Sequence, residues 1–291
     1  MNGILLIDKP QDWTSNDVVS KLRGALHEKR VGHSGTLDPM ATGLLVVFVG
    51  RATRAASFAE AHDKRYLASL RLGLETDTQD ITGRTLREQD ASAISEAQLR
   101  EVFMRFTGAI EQIPPMVSAI KIGGRKLYEI ARRGGEVERK PRPITVHALE
   151  LLGREKGDWL LDIRCSKGTY VRTLCHDLGR ALGCGGCMSA LRRVEAGQFS
   201  LAEAHPLQEV LRAADEGRAE SLLLPVDSLF SDAPSLSVDE EGERRIRYGN
   251  ELRLPELPDG QWRVYAPDGA FLAFSRSECG VLTTIKSFFE V

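Results

Sequence analysis

The residues best suited to chemistry lie in one stretch, Val31-Gly32-His33-Ser34-Gly35-Thr36-Leu37-Asp38-Pro39-Met40-Ala41-Thr42-Gly43. Its glycines permit backbone angles closed to other residues and let a ligand approach closely. Pro39 biases Asp38 away from helix, so the carboxylate stands on extended or turned backbone. A carboxylate so placed is a candidate nucleophile or general base. The competing reading is an Asx-turn, the ordinary use of a loop aspartate. Ser34 suggests a hydrolase, but the nucleophile elbow G-x-S-x-G needs its second glycine two places after the serine, and here Gly35 follows directly.

Other segments offer partners. Ser166-Lys167-Gly168-Thr169-Tyr170-Val171-Arg172 joins a strand pattern to a helix pattern. Tyr170 supplies a flat ring for a base, and Arg172 a planar cation for a carboxylate. Tyr66 follows Lys64-Arg65 and is a second ring. Cys184-Gly185-Gly186-Cys187 invites a metal or redox reading, yet no second cysteine pair has finger-like spacing. Two small apolar thiols near a helix end are the simpler reading.

The elements that must position these groups follow from periodicity. Residues 16–28 read as a helix capped by Ser15, with Val18, Val19, Leu22 and Leu26 on one stripe. Leu44 to Val49 reads as a buried strand, and 66–72 as another, followed by a polar turn at Thr76–Asp80. A helix over 96–106 is announced by Ser95 and Gln98 at capping-box spacing. Strands are expected around Ile144–Ala148 and Trp159–Cys165, then a helix from Val171 to Leu182 that stops at Gly183. Trp262–Ala266 and Phe271–Phe274 flank a Pro267-Asp268-Gly269 turn, a hairpin signal.

The chain has 291 residues, 42% of them hydrophobic and 27% charged, which is ordinary for a globular protein and long enough for two domains. The expected division is 1–230, with 231–291 as a small β-rich unit after the linker-like Ser231–Ser235. No apolar run approaches the roughly 20 residues of a membrane span. The N-terminus lacks the basic flank and cleavage site of a signal peptide. Five cysteines, an odd number, suit reduced thiols in the cytoplasm. Net charge is 39 − 41 = −2. Residues 113–143 nevertheless hold eight Lys or Arg against three Glu, a local +5, with Gly123-Gly124 and Gly134-Gly135 bracketing a short helical segment near Leu127–Arg133. That stretch reads as an excursion from the core, and a solvated basic surface is its simplest account.

Taken in order, these pieces resemble the TruB-type family of tRNA pseudouridine-55 synthases. The resemblance runs through Gly3 to Asp17 with Lys9-Pro10, Gly32 to Gly43, Lys64-Arg65-Tyr66, Thr76 to Asp80, Pro114 to Ala119, Ser166 to Arg172, and Leu191-Arg192-Arg193. Asp12 departs from it, standing where the family usually has glycine. The resemblance implies an α/β fold: a mixed, mostly antiparallel sheet with flanking helices, plus a small C-terminal β-barrel-like RNA-binding domain. It implies isomerisation of uridine 55 in the tRNA T-loop, with no cofactor, no metal and no obligate protein partner. Asp38 would be the catalytic carboxylate, Arg172 its partner, and Tyr66 a ring stacked on uracil that relays a proton. Tyr170 and Leu191 would wall the pocket, His33 would fill the space left by the flipped nucleotide, and Asp80 would touch RNA near the target. Arg132, Arg133, Arg139 and Lys140 would meet phosphates from the basic arm. A non-catalytic tRNA-folding chaperone and a guide-RNA-dependent pseudouridine synthase stay open as alternatives.

Overall fold

Helix α1 (Ser15–Ala25) begins where Thr14, not Ser15, caps it: the Thr14 hydroxyl accepts from Asp17 N, and the Asp17 carboxylate accepts from Thr14 N. The expected cap, Ser15, is buried and turned inward instead. The computed structural model describes residues 1–118, 121, 122, 125–127, 130, 135 and 137–289.

In chain order the strands are β1 (Gly3–Lys9), β2 (Val31–Ser34), β3 (Thr42–Val49), β4 (Lys64–Leu72), the short ribbon β5 (Leu74–Thr76) with β6 (Thr85–Glu88), β7 (Gly108–Gln112), the ribbon β8 (Lys121–Ile122) with β9 (Arg125–Lys126), β10 (Arg142–Glu155), β11 (Asp158–Cys165), β12 (Gly186–Ala196), β13 (Phe199–Ser200) and β14 (His205–Pro206). Between them run α2 (Ala56–Glu60), α3 (Glu96–Phe106), α4 (Val171–Ala181) and α5 (Leu207–Asp215). Among the described residues, ten strands form one sheet in the order β14-β1-β3-β12-β4-β11-β10-β7, with β2 on β3 and β13 on β12. Its pairings are antiparallel except β1 with β14 and β3 with β12. The sheet is therefore mixed and mostly antiparallel, as the resemblance implies. Val31–Ser34 is a strand rather than the start of an irregular loop, so the loop carrying Asp38 is shorter than its composition suggests.

Strand β3 explains the layering. Leu45, Val47 and Val49 face α1 and α5, whereas Leu44, Val46 and Phe48 face the opposite side. A strand buried on both faces reads as a continuous apolar run, which is what its sequence is. The other half of the sheet buries Ala68, Leu70, Leu161 and Ile163 against α3 and α4.

After residue 230, α6 (Glu240–Arg247) accompanies a curled five-stranded sheet of β15 (Ser235–Ser237), β16 (Leu252–Arg253), β17 (Gly260–Tyr265), β18 (Phe271–Glu278) and β19 (Val281–Ser287), in the order β15-β17-β18-β19-β16. This sheet packs on the second face of β1 and β3. Phe230 stacks on Phe274 at 4.2 Å, and Phe58 meets both edge-on.

Candidate active site

The Asp38 loop leaves β2 and enters β3 where the two halves of the sheet meet. It is pinned by its neighbours. Leu37 and Ala41, at 3% and 0% exposure, sink into the core beside Tyr66 and Leu191. Ser15 Oγ accepts from Leu37 N at 2.9 Å and contacts Leu37 O at 3.2 Å. Lys9, fully buried at the end of β1, donates to the carbonyls of Pro10, Trp13 and, at 3.3 Å, Pro39. Asp12, with φ +65°, donates its N–H to Pro39 O at 2.8 Å. Aspartate tolerates that left-handed backbone better than most residues, which is how the turn survives without the glycine. Between these anchors the Asp38 carboxyl has little freedom.

Arg172, in the first turn of α4 and 4% exposed, supplies the counter-charge: its Nη2 lies 3.2 Å from both Asp38 oxygens. Nη2 also donates to Val117 O at 2.8 Å, so the root of the basic arm helps hold the guanidinium. Asp38 keeps about a third of its side chain open to a cleft (32%) while protein closes around the rest. Burial raises its pKa above the ordinary carboxylate value; Arg172 opposes that rise, Asp80 adds to it, and Lys9 opposes it.

That cleft has a volume of about 740 Å³, and Asp38, Tyr66, Tyr170, Arg172 and Leu191 all line it. Five residues from four distant segments thus meet on one cavity. Tyr66 projects from β4 and is 8% exposed; burial raises its pKa, with Arg193 opposing. The Tyr170 backbone is locked to the Gln112 side chain, donating N–H to Oε1 at 2.8 Å and accepting from Nε2 at 3.1 Å.

Other candidates fall elsewhere. Asp80 is 4% exposed and stands behind Arg172, with Oδ2 3.8 Å from Nη1. Its Oδ1 accepts from Thr78 Oγ1, Thr82 N and Thr82 Oγ1 at 2.5–2.9 Å. It faces the arginine and its own turn, where the resemblance implies a residue touching RNA. His33 is half-buried on β2 with its pKa lowered, chiefly by burial and then by Arg193, and it is not among the cleft-lining residues. Arg139 donates to Pro114 O at 3.0 Å, and Lys140 is exposed. Arg132 and Arg133 lie outside the described residues, as does most of the helical segment expected near Leu127–Arg133. Ser34 is 7% exposed, paired with Val46 on β3 and away from the cleft wall. Cys184 and Cys187 are buried free thiols whose pKa burial raises, to about 11 for Cys187.

Three buried cations carried no role in the sequence reading. Lys9 and Lys64 both have pKa values lowered to about 8 by burial. Arg193 is 1% exposed and lines the cleft with Lys64. All three sit inside segments that resemble the family, but a buried cation is invisible in sequence without knowledge of what covers it.

Residues 23–171 match the family model of the TruB family pseudouridylate synthase N-terminal domain, and 172–231 that of the tRNA pseudouridylate synthase B C-terminal domain. The chain belongs to the TruB family of pseudouridine synthases. It is 47% identical over 249 residues to tRNA pseudouridine synthase B of Syntrophotalea carbinolica, covering 86% of this chain and 81% of that one. With tRNA pseudouridine synthase B of an Azoarcus species it shares 43% over 282 residues, 97% of this chain and 93% of the relative. Among solved structures, an H/ACA ribonucleoprotein bound to a substrate RNA containing 2′-deoxyuridine superposes with TM-score 0.75 at 22% identity, over 99% of this chain and 85% of that one. A Cbf5-Nop10-Gar1 complex gives 0.74 at 23%, with the same two coverages. At that identity the structural likeness speaks to the shared fold. No helix among the described residues is long and apolar enough to cross a membrane.

Proposed function

We propose that this TruB-family enzyme converts uridine 55 in the T-loop of tRNA to pseudouridine, acting in the cytoplasm on the T-arm without an obligate protein partner. One observation carries the reading: a carboxylate held by a buried arginine opens into a cleft walled by two tyrosines and a leucine. That is the arrangement needed to receive a single nucleoside, flipped from its stack at a cost of a few kcal/mol.

The reaction breaks the N1–C1′ bond, forms C5–C1′, takes a proton from C5 and returns one to N1. Electrons balance within the nucleoside, so the chemistry demands no redox cofactor and no metal. Asp38 must be ionised to act, whether by attack at C1′, deprotonation at C2′ or addition at C6. Arg172 favours that ionised form and fixes its direction. Tyr66 stacks on the uracil and relays the C5 proton, and Tyr170 and Leu191 close the walls. His33 fills the gap left in the RNA loop. The basic arm grips phosphates, and the C-terminal β-rich unit (231–291) extends the RNA-binding surface of the catalytic unit (1–230).

The test is purified protein with a bare T-arm stem-loop and nothing added. Pseudouridine should form with the native chain and vanish with Asp38→Asn, while RNA binding persists. Retained turnover in Asp38→Asn would remove the catalytic assignment. Binding without turnover by the native chain would favour the tRNA-chaperone reading, and turnover only with a guide RNA would favour the guide-dependent one.

A further inference from the structure

Among the described residues Arg193 is the largest fully buried side chain, at 1% exposure, and it sits at a place where a hydrophobic residue would be cheaper. Its contacts show what it holds. Nε donates to Leu44 O at 2.7 Å and Nη2 to Gly35 O at 2.9 Å, so one guanidinium spans both ends of the Asp38 loop. The backbone of the same residue closes the circuit. Arg193 pairs with Gly43 in the parallel β12–β3 contact, so closely that a Cβ on Gly43 (φ +96°) would lie 2.3 Å from Arg193 O. At Gly35 (φ +70°) a Cβ would lie 3.1 Å from Arg193 Nη1. Both glycines that frame Asp38 are thus shaped around this one residue. Arg193 is also the cross-strand partner of Tyr66 in the antiparallel β12–β4 pair, so the two side chains leave the sheet on the same face, and both line the cleft.

We infer that Arg193 is a positioning residue of the active site: it clamps the Asp38 loop at Gly35 and Leu44 and orients the Tyr66 hydroxyl, setting the carboxylate and the phenol in register on one nucleoside. The inference rests on the proposed roles of Asp38 and Tyr66. Asp38 and Tyr66 come from different elements, a loop and strand β4, and the strand between them, β12, carries Arg193 opposite Gly43 on one side and opposite Tyr66 on the other. Arg193 is bonded to the loop and paired with Tyr66. Misplacement of a reacting group by an ångström costs on the order of a hundredfold in rate, so a rigid tether between them has a large return. Lysine cannot replace it, because a single ammonium lacks the planar fork that spans the carbonyls of Leu44 and Gly35 together.

A double-mutant cycle in single-turnover isomerisation of a T-arm stem-loop tests this. Arg193→Lys should lower the rate by roughly thirtyfold or more with the RNA Kd changed less than about threefold. In a Tyr66→Phe background the same substitution should cost at least about fivefold less, because the group it orients is already gone. Near-native turnover of Arg193→Lys, or equal losses in both backgrounds, would overturn the inference; equal losses are what a purely structural arginine gives. If Arg193→Lys fails to fold, Gly35→Ala, which presses a methyl on Nη1, takes its place in the same cycle with the same two outcomes. Full activity in Asp38→Asn or Tyr66→Phe would instead sink the underlying site assignment, a result distinct from either.

Discussion

Arg172 stands between two carboxylates, with Nη2 3.2 Å from Asp38 and Nη1 3.8 Å from Asp80. The two acids are not equivalent. Asp38 opens to the cleft, whereas Asp80 is tied to Thr78 and Thr82 and cannot swing out without breaking those bonds. We propose that Asp80, so fixed, sets the plane of the guanidinium that holds Asp38. Asp80→Asn keeps the size but weakens the pull on Nη1. We expect it to slow single-turnover isomerisation by about tenfold and to leave RNA affinity nearly unchanged. Arg172→Lys, which loses the fork, should cost about a hundredfold or more. Equal Kd changes and rate changes across the pair would show that Asp80 serves RNA binding after all.

The same triad fixes the sign of the pH response. Burial raises the Asp38 pKa, and the neighbouring Asp80 adds to the rise. Under the proposed role of Asp38 the ionised form is the working one, so the acid limb of kcat/KM should fall at a higher pH than an ordinary carboxylate would give. Neutralising Asp80 removes a repulsion, so Asp80→Asn should move that limb to lower pH; removal of the Arg172 charge should move it up. A folded-state carboxylate pKa above the unfolded one means that the native state binds more protons in that window, so stability falls as pH rises through it. At neutral pH the ionised Asp38 is thus a cost to the fold. Asp38→Asn should raise Tm, by roughly 2 °C or more in a thermal scan, while abolishing turnover. A lowered Tm would mean that the Arg172 pairing outweighs desolvation.

How much of this was legible in sequence follows the physics of each element. Strand β3 and helices α3 and α4 were readable because burial on a regular period leaves a pattern along the chain. The Asp38 loop was readable as unusual because of its glycines, but the reason for two of them was not: Gly35 and Gly43 make room for Arg193, about 150 residues away along the chain. Ser15 fits a helix cap by type, yet its hydroxyl holds Leu37, and Thr14 takes the cap; only the packing of α1 on the loop decides between them. Asp80 has the look of a surface acid in a polar turn, and is a buried one because α4 places Arg172 over it. Contacts between distant segments leave no trace in local spacing. The family resemblance gathers the segments, and the geometry then separates those lining the cleft from those behind it.

The basic arm gives a prediction independent of the chemistry. Lys140 is exposed, and Arg132 and Arg133 belong to the same +5 segment of an otherwise acidic chain. Replacing these three with glutamine should weaken T-arm binding and reduce the slope of log K against log salt by about 2–3, near one unit for each phosphate no longer neutralised. Arg139 is better left in place, since its donation to Pro114 O also braces the root of the arm. An unchanged slope in a salt titration would make the arm an ordinary solvated surface.

The C-terminal sheet is attached to the main sheet through an aromatic seam. Phe230 lies at the expected boundary of the two units, but it is 7% exposed and stacked at 4.2 Å on Phe274 of β18, within the same apolar cluster as Ile4, Leu44 and Phe48 of the main sheet. Phe230, just before the linker-like Ser231–Ser235, is thus shared by the two cores. The aromatic seam makes the two sheets mutually dependent, so thermal or urea unfolding should follow one transition for both. Phe230→Ala should cost about 3–5 kcal/mol, enough to uncouple them. Two resolved transitions would then appear, and the main sheet would unfold with β1 and β3 exposed on the face that the C-terminal strands now cover. Two transitions already present in the native chain would mean that the seam contributes little, and that the units are joined by the chain alone.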